Sequence, residues 1–168
     1  MGTRSTIAMK KPEGGVIGIY CHWDGYPDHN GQILNEHYAD TDRIAKLIDL
    51  GDLSSLGPEL GQAHNFDAKY SDEPELDLHD DWCMAYGRDR GEVGTEPRHF
   101  DDVKAWRDAF ADCWCEWAYL WDGENWLVHK MSNDDDGGFP VFDFAALFSV
   151  AANGHGDSRQ DDVALADG

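Results

Sequence analysis

The chain has 168 residues, with 34 acidic against 13 basic side chains and a formal net charge of −21. That balance argues against a general nucleic-acid binder or a ligand of anionic membranes, both of which need clustered Lys and Arg. Apolar residues at 41% and seven Trp support a folded domain, and a chain of this length buries roughly 70% of its unfolded surface without a disulfide or metal.

No apolar stretch approaches the ~20 residues of a membrane span, and residues 1–11 lack an apolar signal region. The expectation is a cytoplasmic protein with reduced Cys21, Cys83, Cys113 and Cys115.

Residues 3–10 alternate as a strand, Pro12-Glu13-Gly14-Gly15 reads as a turn, and residues 16–24 form a second strand. Ile17, Ile19, Cys21 and Trp23 make its expected core face, opposite Gly18, Tyr20, His22 and Asp24. Gly25 and Pro27 predict a loop over 25–30. Ile33, Leu34, His37 and Tyr38 then share a helical face. The next helix is expected to start with Thr41 as N-cap, to bury Ile44, Leu47 and Ile48, and to end at Gly51.

Residues 52–62 read as a turn-rich connection, 63–81 as an acidic irregular excursion and 81–86 as a short strand. Gly87-Arg88-Asp89-Arg90-Gly91 is a glycine-bracketed charged loop. A helix over 100–111 shows Val103, Trp106, Ala109 and Phe110 on one side. Residues 114–121 and 126–131 flank Asp122-Gly123-Glu124-Asn125 as a Trp-rich hairpin. On such a strand Cys113 and Cys115 share a side, where a disulfide fits poorly. An acidic loop over 133–138 and a buried helix over 139–152 close the domain. The fold expected is a single α+β domain over 1–152, with an antiparallel sheet, a few helices on one face, and a flexible acidic tail over 153–168.

Three constellations could carry chemistry. His22, Asp24, His29 and His37 hold imidazole and carboxylate groups suited to Zn²⁺, in a spacing that matches no established zinc motif; the competing reading is a polar strand end. His22 with Asp24 could also act as base and orienter, and Cys113 or Cys115 with His129 as a thiolate pair, though no nucleophile elbow is present. Arg88 and Arg90 could clamp an anion, against the plainer reading of an ion-paired turn.

The acidic surface is the strongest signal. Asp72, Glu73, Glu75, Asp77, Asp80 and Asp81 form one cluster, and Asp134, Asp135 and Asp136 another. Self-repulsion at that density is unfavourable, so a basic partner groove or a high-salt environment would rationalise it; 25 Asp against 9 Glu and only six Lys suit the halophilic alternative, and the plainer reading is an acidic, soluble protein with no special partner.

The strings Met1-Gly2-Thr3-Arg4-Ser5-Thr6-Ile7-Ala8, Ile19-Tyr20-Cys21-His22-Trp23-Asp24-Gly25-Tyr26, Gly51-Asp52-Leu53-Ser54-Ser55-Leu56-Gly57 and Tyr86-Gly87-Arg88-Asp89-Arg90-Gly91-Glu92 resemble a family of small phage- and prophage-encoded proteins without an established activity. The likeness covers most of residues 1–131; the extra acidity and longer C-terminal tail depart from it. The resemblance implies a mobile-element origin. It favours a non-enzymatic DNA mimic that binds a basic surface of a host nucleic-acid-handling defence complex, of anti-CRISPR or anti-restriction type. The alternatives are a small metal-binding module or metal-dependent hydrolase, and a virion or structural accessory protein.

Overall fold

The computed structural model describes residues 3–63, 81–131 and 139–140. The opening hairpin is present: β1 (Ser5–Lys10) pairs antiparallel with β2 (Val16–Cys21), placing Ile7 opposite Ile19. Gly14 and Gly15 turn the chain at φ +106° and +86°, a region that favours glycine.

The remaining strands are β3 (Leu53–Ser55), β4 (Met84–Ala85), β5 (Arg98–Phe100), β6 (Trp117–Trp121), β7 (Trp126–Lys130) and β8 (Phe139–Pro140). They form one sheet in the order β4-β3-β2-β1-β6-β7-β8, with β5 also paired to β2. The α+β class is as expected, and most pairings are antiparallel. The sheet is nevertheless mixed, because β1–β6 and β2–β3 are parallel. Parallel neighbours need long crossovers, and here helical segments lie in both connections.

Helices α1 (Gln32–His37), α2 (Thr41–Asp49), α3 (Tyr86–Arg90) and α4 (Val103–Ala111) complete the fold. Both sheet faces carry a core. On one, Leu34, Tyr38, Ile44, Leu47 and Ile48 pack with Ile7, Ile19, Tyr119 and Val128. On the other, Trp106 and Phe110 of α4 pack with Ala8, Val16, Ala118 and Leu120. The helices therefore divide between the faces, where one covered face was expected. Two-sided coverage explains why β6 is buried at every position. Buried indoles fasten the layers: Trp121 Nε1 donates to Thr41 Oγ1 at 3.0 Å, and Trp126 Nε1 donates to Tyr38 O at 2.7 Å.

Several local expectations change. Residues 27–31 form a π-helical turn, which Pro27 can open because the first helical position needs no N–H donor. Asp40 caps α2: its extended backbone leaves the carboxylate free to accept from Arg43 N at 3.1 Å, and Thr41 becomes the first helical residue. The 87–91 segment lies largely within α3, ended by Gly91 at φ +76°. Trp23 is 39% exposed because β2 ends at Cys21, two residues before it. His37 is exposed, whereas its neighbours Leu34 and Tyr38 are buried.

Phe139–Pro140 pair with β7 as a strand instead of opening a helix; the proline sits where only one neighbouring strand is paired. The rest of the expected C-terminal helix, the tail and the 133–138 loop lie outside the described residues, as does most of the 63–81 excursion.

Candidate functional site

The segment after β2 is built around Asn30, which is fully buried. Its Nδ2 points at Ser5 Oγ (3.4 Å), Cys21 Sγ (3.5 Å) and Trp23 O (3.4 Å), while its Oδ1 lies 2.9 Å from His29 Nδ1. The π-helical turn delivers Asn30 to that position. Gly25 passes so close to β1 that a Cβ there would meet Ser5 Cβ at 2.6 Å, and Tyr119 donates its hydroxyl hydrogen to Gly25 O at 2.6 Å. Asp24 is held at φ +57°.

The four residues considered as metal ligands each make a contact of their own. His22 Nδ1 pairs with the Tyr20 hydroxyl at 2.9 Å, and His29 pairs with Asn30. Tyr26 donates to Asp24 at 3.4 Å, and His37 stands beside Glu36 at the end of α1. Among the described residues, no group of three or more His, Cys, Asp or Glu side chains is placed to hold a metal ion. Asp28 is raised above the usual carboxylate range by burial.

The thiols are poorly placed for nucleophilic work. Burial pushes Cys21 up to about 12 and pushes Cys115 and Cys83 upward too, so they stay protonated. Cys113 and Cys115 lie in the turn between α4 and β6 and not on a common strand. His129 packs edge-on to Trp106 on the α4 face.

Arg88 is spent on the fold. Its guanidinium donates to Leu60 O (2.8 Å), Cys83 O (2.9 Å) and Asp89 Oδ1 (2.9 Å), and Asp89 in turn accepts from Ala85 N at 2.8 Å. Arg90 ion-pairs with Glu92 and lies over the Tyr86 ring. Of the acidic candidates, Asp81 is described and exposed. Asp72, Glu73, Glu75, Asp77, Asp80, Asp134, Asp135 and Asp136 lie outside the described residues.

Two features escaped the sequence reading. The first is Trp114. Its backbone sits at φ +66°, its side chain is 77% exposed, and Asp112 and Glu116 on either side are exposed as well. The other tryptophans of the hairpin, Trp117, Trp121 and Trp126, are core. Alternation could not single out Trp114, because β6 starts three residues after it.

The second is a group of polar side chains around the Arg4 end of β1 and the Cys21 end of β2. Arg4 and His22 flank the Ser5–Cys21 pair, Tyr20 lies next along β2, and Tyr20 N donates to Asp52 Oδ1 at 3.0 Å. Trp23 N donates to Ser54 O at 3.0 Å, which brings Ser54 alongside, and burial raises the Tyr86 phenol, opposed by Ser54. Burial raises the Tyr20 phenol, opposed by the nearby Arg4 charge. Burial, followed by Arg4 and the N-terminal ammonium, lowers His22. Burial likewise raises Asp52, opposed by the Tyr20 N–H and Arg98. These residues come from four separate stretches of the sequence. Comparison with known protein families, curated proteins and solved structures finds no significant match.

Proposed function

We propose that the chain is an acidic, non-enzymatic binding protein that engages a basic protein surface, of the kind that ordinarily holds nucleic acid in a host defence complex. The observation that carries this reading is Trp114, an exposed indole between two exposed carboxylates on a backbone conformation unfavourable to a non-glycine residue. Exposed aromatic anchors are the side chains that most often dominate a protein interface, and local strain at the surface is typical of functional positions. A net charge of −21 would steer such a protein toward a basic partner and supply complementary rim contacts. The resemblance to phage-encoded proteins supplies the biological setting.

The test is affinity capture from host lysate at physiological salt, followed by competition with duplex DNA or RNA. The reading expects a captured basic protein that nucleic acid displaces, and loss of capture with Trp114→Gly or with joint neutralisation of Asp72, Glu73, Glu75, Asp77, Asp80 and Asp81. Capture unchanged in both variants, or indifferent to nucleic acid, contradicts it.

A further inference from the structure

Among the described residues, the exposed large apolar side chains are Trp23, Tyr26, Val93 and Trp114. All but Val93 collect at one end of the sheet. Ser5 of β1 is registered with Cys21 of β2 on one side and with Trp117 of β6 on the other. Trp23 and Tyr26 follow closely on Cys21, and Trp114 stands just ahead of Trp117. Both flanking loops close on the residues that lead into β1: Gly25 N donates to Thr3 O at 2.8 Å, and Glu116 N donates to Arg4 O at 2.8 Å. At this end β2 and β6 stand two strand spacings apart, about 10 Å.

Each loop is fixed by its backbone while its aromatic side chains face solvent. Trp23 N donates to Ser54 O at 3.0 Å, Asn30 N to Asp24 O at 3.3 Å, and the buried Tyr119 hydroxyl to Gly25 O at 2.6 Å. On the other loop, Cys115 N donates to Phe110 O at 3.2 Å and Trp114 N to Ala111 O at 3.1 Å. That pair of bonds closes the end of α4 and puts Trp114 in the left-handed position where glycine is ordinarily found. Carboxylates border the rings: Asp24 and Asp28 on the first loop, Asp112 and Glu116 on the second. Among the described residues none of the four forms an ion pair, so their charge is open to a partner. Of the basic neighbours, Arg98 is stacked over Phe110 and Lys130 lies over Trp117.

We propose that Trp23, Tyr26 and Trp114 form one binding face whose occupant is an arginine-bearing segment of a basic partner protein. The proposal rests on the reading of Trp114 as an interface residue and extends it from one indole to a face built by two loops. Apolar side chains scattered singly over a surface carry no such meaning, whereas several aromatics gathered within a polar rim do. A guanidinium matches both parts of the face: its plane stacks on an indole or phenol ring, and its fork of donors meets a carboxylate. A lysine ammonium offers neither the plane nor the fork. Because the loops are already pinned to β1, little ordering is left to be done on binding. The net charge of −21 brings a basic segment toward the molecule, and the aromatic rings decide where it settles.

Isothermal titration calorimetry of the full chain with a nona-arginine peptide, and separately with nona-lysine, tests the assignment at physiological ionic strength. The native chain should bind nona-arginine more tightly than nona-lysine. Trp23→Ala, Tyr26→Ala and Trp114→Gly should each weaken nona-arginine roughly two- to thirtyfold, the range of an exposed to a desolvated cation–π contact. Val93→Ser, which removes the exposed apolar side chain outside the face, should bind as native, and circular dichroism confirms that each variant folds. Equal binding of the two peptides by the native chain, or undiminished nona-arginine binding by folded Trp23→Ala and Tyr26→Ala, overturns the proposal. If Trp114→Gly alone weakens the peptide, the shared face fails while the reading of Trp114 stands. If all three aromatic variants weaken it but host lysate yields no partner that nucleic acid displaces, the face stands and the nucleic-acid-holding partner fails.

Discussion

Trp106 Nε1 donates a hydrogen bond to Thr6 Oγ1 at 2.9 Å, fastening α4 to the central strand β1 inside a fully buried layer. Thr6 passes its own hydroxyl hydrogen to Ile19 O at 2.8 Å, so one side chain ties α4, β1 and β2 together. Replacing Thr6 by Val keeps the shape and leaves the indole N–H buried without its acceptor. The expected loss is about 1–3 kcal/mol, read as a fall in Tm of roughly 2–4 °C per kcal/mol. Gly18→Ala should also destabilise, since its Cβ would stand 2.9 Å from the same indole nitrogen.

Asn30 is the corresponding tie on the other side. Asn30→Leu removes the amide facing Ser5, Cys21 and Trp23 and should cost about 1–3 kcal/mol in denaturant unfolding. The same change should loosen the Trp23–His29 segment, seen as faster amide exchange there than in β6 and β7.

Trp114→Gly should leave stability unchanged or raise it by up to about 1 kcal/mol, because a glycine accepts φ +66° without the penalty that an L side chain meets. A core tryptophan behaves differently: Trp121→Gly should destabilise strongly through a cavity. A marked loss of Tm in Trp114→Gly would place that indole in the fold instead of at an interface.

His22 carries a sign-definite pH effect. Its folded value is lowered, so between that value and the ordinary histidine range the unfolded chain binds more protons. Its contribution to stability is therefore present at neutral pH and lost as pH falls through the lowered value. Asp52 and Asp28 act oppositely: their raised values mean that the folded state takes up protons first and gains stability as pH falls through that range. Comparing the pH dependence of Tm in the native chain and in His22→Gln isolates the histidine. The native Tm should drop relative to the variant as pH is lowered from neutrality, and parallel curves would refute the assignment.

The sequence revealed the elements whose signal is local. The β1–β2 hairpin followed from strict alternation, α2 from Ile44, Leu47 and Ile48, and the β6–β7 turn from Asp122-Gly123. What it concealed depended on tertiary placement. Gly87 looked like a breaker, yet it lies inside α3, where Thr95 Oγ1 stands 2.7 Å from the place a Cβ would take. Trp114 and Trp117 look alike as letters, and only the start of β6 decides which one reaches solvent. His22 and Asp24 do not share a strand face as alternation suggested, because β2 ends at Cys21 and Asp24 sits at φ +57°.

Circular dichroism from near-zero to multimolar KCl separates tolerance of the charge from dependence on salt. If the acidic surface serves a partner, the chain should be fully folded at low ionic strength. Unfolding at low salt would assign the acidity to halophilic adaptation.

The central claim is that the acidic surface and Trp114 bind a basic, nucleic-acid-holding partner. Its most direct measurement is affinity capture with native chain, Trp114→Gly and the six-fold acid-neutralised variant side by side, each shown to be folded, with nucleic acid as competitor. The account predicts one basic protein retained by the native chain, released by nucleic acid and absent with either variant. Retention of the same protein by all three, or retention that nucleic acid does not disturb, would contradict it.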